Sequence, residues 1–599
     1  MKKIKLFVFL LLLFSISSKI HCQTYDLEKS LKGFDKYIEQ VMKDWNSPGI
    51  AVGIIIKNKL VYSKGFGYRD LENKLPVTSK TLFPIASNTK LFTSVAMGML
   101  VEEGKLAWDK PISTYTPQIK FYNQELYNFV TLRDMLSHRT GIPDHYSIWY
   151  NSDFSRKELF DRLVYLEPVQ PIRQGSSYNN MIYAAAGYCL EIITGRTWED
   201  FVQENIFNPL NMNNTLFTIE DMEMQNDFAY PYYEEIETDK LIRGPYYRET
   251  KGFGPAGAII SNIEDMSKWV IALMNQGNYK GKDVISSDIL KETLQPAMAY
   301  PNTALETEGY DEILNSVYGL GRSFAAYKGH FFTNHGGFLG GFHSQVSMMP
   351  FDSIGVLVFV NGTHNGSLID IISYNIYDRL LRLEQTDFNN RSLKYRIVDK
   401  KVRKEARKIT RSDKIDNTKP THTLTDYEGR YENSVYGILK ISVDGDQFEF
   451  DFHNIVLPLE HYHYDRFDTS NDPVYGKFTV NFYINPQGDI HNAVMSLDES
   501  EVVFTKKPDA SLSDPNTLSN YVGSYELAGQ VFEVIMSDEG VLSTGTPAEQ
   551  PYNKLIPYKS HMFTLKEFSD YIIEFIMKDD EVMMMRWIMP HGTYDFIKK

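Results

Sequence analysis

Apolar and polar positions change period several times along the chain, and each change marks an element. Residues 49–67, GIAVGIIIKNKLVYSKGFG, carry β-branched residues on both sides of Lys57-Asn58-Lys59 and predict a hairpin. From Ser87 onward Leu91, Phe92, Val95, Ala96, Met99 and Leu100 fall at the spacing of one buried helical stripe, which stops at Gly104. Helical periods recur after Thr131, over 156–165, over 180–195 and over 261–277. A Tyr-rich stretch between them, YPYYEEIETDKLIRGPYYRE, reads as an excursion near the rim of a cleft. Strand patterns return over 318–324, 341–349 and 355–361, and a helix over 368–383 closes the unit. Strands at both ends of a helical middle predict an α+β domain, with a sheet assembled from distant pieces and a helical subdomain inserted.

The pattern then changes character. Residues 386–420 are dense in Lys and Arg and poor in aromatics, and read as a basic linker, a solvated connector that is helical in part. Beyond it the chain repeats itself. Tyr427-Glu428-Gly429-Arg430-Tyr431 and Tyr521-Val522-Gly523-Ser524-Tyr525 open two blocks, and Phe504-Thr505-Lys506-Lys507 and Phe596-Ile597-Lys598-Lys599 close them. Short alternating runs such as FEFDF, KFTVNFYI and DYIIEFIM predict two small antiparallel β-barrels, over 421–508 and 515–599. His461 and His463 read as one face of an exposed strand, and no metal is expected.

With 599 residues the chain needs more than one core, and a formal net charge of -15 argues against nucleic acid as a partner. Lys2, Lys3 and Lys5 precede an apolar run from Leu6 to Phe14, the layout of a signal peptide over 1–22, and a periplasmic or secreted protein is expected. Lipidation at Cys22 is the alternative, disfavoured by the bulky His21 before it. Cleavage leaves Cys189 alone, so no intrachain disulfide is expected, and no further segment has the length of a membrane span.

Three short constellations carry candidate chemistry. Ser87 and Lys90 stand three apart at a helix start, on one face, where a buried lysine can take the proton of the neighbouring hydroxyl. Tyr178 and Asn180 are two apart just before the next apolar helix, and in an extended segment both face one cleft. His335-Gly336-Gly337 is expected to start a strand whose glycines let substrate backbone approach, with the Phe338 amide joining that of Ser87 in an oxyanion hole. Each has an ordinary structural explanation alone: a solvated helix start, a cap, a strand-edge imidazole.

Together, Ser87-x-x-Lys90, Tyr178-x-Asn180 and His335-x-Gly337 resemble the penicillin-recognising serine hydrolases, in the branch of class C β-lactamases, D-alanyl-D-alanine carboxypeptidases, D-aminopeptidases and carboxylesterases. The resemblance covers about 35–383 and extends to LRDMLSHRTGI and GPAGAIISNIEDMSKWV, in which His138 is expected to end a helix and Ser261 to cap one. It implies a class C β-lactamase-like domain over 23–385, Ser87 as nucleophile, Lys90 and Tyr178 in proton transfer, His335 in the third motif, and Asn180, Gly337 and Phe338 against the substrate. No cofactor is implied. Lactamases of this branch generally have Lys where His335 stands, whereas His-x-Gly resembles the D-aminopeptidases, whose catalytic domain is also followed by β-barrels of the lipocalin-like kind. The expected activity is hydrolysis of small amide or ester bonds, D-residue peptides foremost. A carboxylesterase, a β-lactamase and a silent binder of cell-wall fragments are the alternatives. The expected partner is a small molecule or short peptide, with self-association through the barrels open.

Overall fold

The computed structural model describes residues 27–247, 252–301, 303–409, 413–445, 447–548, 551–568, 570–579 and 581–599. The expected signal peptide and Cys22 lie outside them. In chain order the first unit comprises α1 (Phe34–Asp44), β1 (Gly49–Ile56), β2 (Lys59–Asp70) and β3 (Leu75–Pro76). A helical stretch follows with α2 (Thr89–Glu102), α3 (Leu132–Leu136), α4 (Tyr146–Trp149), α5 (Asn180–Thr194), α6 (Gly254–Gly257) and α7 (Ile263–Met274). Then come β4 (Met298–Ala299), β5 (Ile313–Tyr318), β6 (Ser323–Tyr327), β7 (His330–Leu339), β8 (Phe342–Met349), β9 (Ile354–Asn361), α8 (Gly366–Leu381) and α9 (Phe388–Ile409).

The nine strands form one antiparallel sheet in the order β4-β5-β6-β7-β8-β9-β1-β2-β3. The first strand therefore pairs with the last, Ile50 opposite Val360 and Ile56 opposite Ile354. Every residue of β1 and β9 is buried, because helices cover both faces of the sheet. Phe34 and Ile38 of α1 pack with Leu368, Ile372 and Ile376 of α8 on one face. Met266 and Val270 of α7 meet Ala51, Ile55 and Phe359 on the other.

The local chemistry explains the boundaries. Lys57 and Asn58 both adopt positive φ (49° and 62°) between β1 and β2, which gives the tight turn the hairpin needs. The run at 318–324, expected as one strand, is broken at 319–322 by the turn joining β5 to β6, since Gly321 has φ 77° and a Cβ at Gly319 would stand 2.2 Å from Thr293 O. His335 lies in the middle of β7 and not at its start. Helix α7 is capped by Asn262, whose side chain accepts from the Asp265 amide. Ser261, expected as that cap, is buried beside Thr215, with 2.8 Å between the two hydroxyl oxygens.

The basic segment is no solvated connector along α9. Arg391 pairs with Glu312 (2.9 Å), Arg396 and Lys400 with Glu234 (2.8 and 2.9 Å), and Trp45 Nε1 donates to Asn389 Oδ1 (2.8 Å). After it, eight strands from Gly429–Asn433 to Ser500–Lys507 close one barrel, and eight from Gly523–Leu527 to Gly592–Lys598 close another. The repeated Tyr-x-Gly-x-Tyr has one physical cause in both. Tyr431 donates its hydroxyl to Tyr427 O (2.6 Å) and Tyr525 to Tyr521 O (2.7 Å), while Gly429 and Gly523 hold φ 146° and 153°. The first barrel shares a continuous apolar core with the first unit, whereas the second has a core of its own. Among the described residues no helix is long and apolar enough to cross a membrane.

Candidate active site

Ser87 is the one residue between Leu82 and Gly98 that is not buried. It sits on a single tight turn, Ala86–Asn88, that leads into α2. Ala86 holds φ 47°, a conformation that costs energy for a residue with a Cβ and that collects at functional turns. The turn is fastened to the sheet: Asn88 Nδ2 donates to Ser344 Oγ (2.8 Å), and Ser344 Oγ donates to Ile85 O (2.7 Å). Strand β7 passes directly against it. A Cβ at Gly337 would stand 2.3 Å from Ile85 O and 2.4 Å from Ser344 Oγ, so the Ser87 turn fills the space that sequence reasoning reserved for substrate. Gly336 has no such neighbour within 3.5 Å, and Phe338, next in line, is 53% exposed.

Lys90 is completely buried one helical turn from Ser87. Its Nζ donates to Asn180 Oδ1 (2.7 Å) and Ala256 O (2.9 Å) and lies 3.1 Å from Ser87 Oγ. Burial pulls its ammonium down to about 7, with the Asp144 carboxylate opposing. Two of its partners can only accept, so when the amine is neutral its two hydrogens go to them and its lone pair faces the Ser87 hydroxyl. Asn180 has partners at both ends of its amide: Nδ2 donates to Asp144 Oδ2 (2.7 Å), and its backbone N–H to Asp144 Oδ1 (3.0 Å). Trp149 Nε1 adds a 3.3 Å bond to the same carboxylate. Burial raises Asp144, and the Asn180 bonds and Lys90 oppose it.

Tyr178 arrives beside this pair from the N-terminal end of α5, where Asn179 is the cap. The Lys90 Nζ stands 4.7 Å from the centre of its ring. Although the residue is 37% exposed at the cleft mouth, atoms crowd its hydroxyl, and this desolvation lifts the phenol well above its ordinary value despite a hydrogen bond with Ser87. His335 lies 6.3 Å away, ring to ring. Its Nδ1 is 2.5 Å from Gly336 O and its Nε2 2.9 Å from Tyr318 Oη. A carbonyl only accepts, so Nδ1 carries the proton and Tyr318 donates to Nε2. Burial first and Lys90 second push this imidazole down to about 4, so the third motif is neutral at pH 7.

Sequence reasoning missed three members of the cluster. Asp144 holds Asn180, Tyr318 holds His335, and His138 forms the floor. His138 follows α3 at φ 59°, and its ring lies 4.1 Å from that of Tyr178. Its Nδ1 accepts from the Asn179 amide (3.1 Å), leaving the Nε2 hydrogen without a partner among the described residues.

The profile of the Beta-lactamase family matches residues 34–376, more than half of the chain. The chain belongs to the Beta-lactamase family. This Beta-lactamase family unit, a serine hydrolase by family, is followed by a match over 413–506 to a domain of unknown function, DUF3471, which falls on the first barrel. Among curated relatives, the unguisins hydrolase ungD of Aspergillus violaceofuscus is 27% identical over 438 residues, covering 69% of this chain and 76% of that protein. Protein flp of Staphylococcus aureus is 24% identical over 347 residues, 55% and 63% of the two chains. The octameric penicillin-binding protein homologue from Pyrococcus abyssi shares the fold, with a TM-score of 0.53 at 23% identity over 80% of this chain and 100% of that one.

Proposed function

We propose that this Beta-lactamase family member is an exported hydrolase that cleaves small amide or ester bonds through a Ser87 acyl-enzyme, with D-residue peptides as its main substrates. The observation that carries the reading is the partner set of Lys90, which leaves a neutral amine's lone pair only Ser87 to face. Ser87 Oγ attacks the carbonyl carbon and its proton passes to Lys90 Nζ. The amides of Ser87 and Phe338 receive the oxyanion, the strand carrying Phe338 being seated against the Ser87 turn at Gly337. Collapse breaks the C–N or C–O bond, and the neutral phenol of Tyr178 protonates the leaving group. The phenolate so formed takes a proton from the water that attacks the acyl ester, and as the acyl C–Oγ bond breaks Lys90 Nζ returns its proton to Ser87 Oγ, so the acid leaves and the free amine is restored. Asn180, with partners at both ends, acts as a positioning residue for Lys90.

Neutral His335 offers no cation to a substrate carboxylate, which favours amides and esters over lactams. A carboxylesterase uses the same groups and is the second reading. The name of the Aspergillus relative supports hydrolysis, and the N-terminal lysines and apolar run support export. A panel of D- and L-aminoacyl anilides, a short nitrophenyl ester and a chromogenic cephalosporin tests the reading beside Ser87→Ala. D-anilide turnover that vanishes in the variant is expected, and equal signals from both proteins overturn it.

The same assay yields a pH prediction. The base works as the free amine, so kcat/KM should climb about tenfold per unit up to about pH 7 and then level off. Asp144 stabilises the ammonium, so Asp144→Asn should move this limb to lower pH. A limb that stays in place or moves upward removes Asp144 from the titration.

A further inference from the structure

Between the hydrolase unit and the first barrel lies a cavity of about 280 Å³. We infer that it is a specificity pocket for one neutral aromatic side chain of the substrate, flanking the bond that Ser87 cleaves. The inference rests on the Ser87 reading for its kinetic form.

Three observations carry it. The first is chemistry: the lining includes Tyr146, Tyr150 and Phe338 from one side and Phe452, Tyr475 and Phe478 from the barrel, and no Asp, Glu, Lys or Arg. His453, also in the wall, is held down to about 4 by burial and is neutral. A second cavity, by contrast, has Glu234, Arg396, Lys400 and Arg403 among its lining residues. Aromatic faces and edges of this kind favour another ring, whereas an ionised group would lose its hydration with no partner.

The second is continuity with the reaction centre. Phe338 lines the cavity and follows Gly337, which touches the Ser87 turn. Tyr146 stands two residues after Asp144, which holds Asn180. Gly340 and Gly341, at φ 49° and 90°, form the hairpin tip at the wall, next to the strand that carries Phe338. A cavity of about 150 Å³ accommodates benzene. This one accepts an indole or naphthyl group with room to spare.

The third is rigidity. The barrel is bolted to the hydrolase unit around the cavity: Asn454 Nδ2 donates to Asn151 O (2.9 Å), Ser147 Oγ to Asp498 Oδ1 (3.0 Å) and Arg162 Nε to Val435 O (3.0 Å). A wall held this way presents a preformed pocket, so little ordering is required on binding.

Val474, half-buried in the barrel loop at the cavity, is the residue to change. In the full-length Ser87→Ala chain, calorimetry with N-acetyl-D-tryptophan amide and N-acetyl-D-alanine amide should give tighter binding of the first. Val474→Trp, which fills the space, should weaken the tryptophan probe about tenfold and leave the alanine probe within about twofold. Tyr475→Ala removes wall instead and should weaken the tryptophan probe alone, which decides the matter if Val474→Trp does not fold. Equal binding of the two probes, or variants that act on both alike, overturns the pocket. With Ser87 intact, the same selectivity should appear in kcat/KM for D-tryptophan over D-alanine anilides. Absence of all turnover beside intact selective binding condemns the Ser87 reading and leaves the pocket standing. Turnover that ignores Val474→Trp does the reverse.

Discussion

Lys90→Met is expected to lower kcat/KM by about a thousandfold, within the range of a lost general base. Lys90→Arg should be just as inactive, and that comparison is the informative one. If the residue served as a fixed positive charge near the oxyanion, a guanidinium would replace it in part. If it serves as a base, a group that stays protonated throughout the accessible pH range cannot. The burial that brings Lys90 to about 7 is what makes it available as an amine in neutral solution. Steady-state rates with a nitrophenyl ester, together with mass spectrometry of the acylated protein, measure both variants. Rates for Lys90→Arg within tenfold of the unsubstituted protein would exclude the base role.

Gly337→Ala should cost about 1–3 kcal/mol of stability and about a hundredfold in activity, whereas Gly336→Ala should be close to silent. The two neighbours differ in what a methyl group meets. At 337 it meets the carbonyl of Ile85 at 2.3 Å and Ser344 Oγ at 2.4 Å, and the former is backbone of the turn that presents Ser87. At 336 the nearest atom is 3.5 Å away, at the end of the Gln345 side chain. The displaced turn carries Ser87 away from Lys90, so loss of rate should accompany loss of stability. Urea midpoints and ester hydrolysis for both variants check it, and equal effects at the two positions would show that the contact with Ile85 does not set the Ser87 geometry.

The groups legible in the sequence are those whose chemistry demands a residue type at a fixed spacing. Ser87 and Lys90 are three apart because one helical turn must join them, and the Tyr-x-Gly-x-Tyr blocks repeat because each barrel closes a hydroxyl onto a carbonyl four residues back. Asp144 and Tyr318 escaped, and His138 was read only as a helix end, because nothing local marks their part in the site: each acquires its place from a partner 17 to 41 residues away. Helix α9 was legible as a basic run but not as a docked one, since the carboxylates that neutralise it stand at Glu234 and Glu312. The turn at 319–322 was misread because Val317, Tyr318 and Leu320 supply strand-forming residues right up to the glycine that bends the chain.

The pairing of β1 with β9 has a price in time. At translation rates of about 5–20 residues per second, the roughly 300 residues between Ile56 and Ile354 take about 15–60 seconds to appear. For that interval Gly49–Ile56, apolar throughout and rich in β-branched residues, has β2 on one edge and no permanent partner on the other. Such an edge is a template for pairing with another nascent chain. Yield of this protein should therefore depend on how well its first strand is shielded before its last one arrives, and less on the stability of the finished sheet.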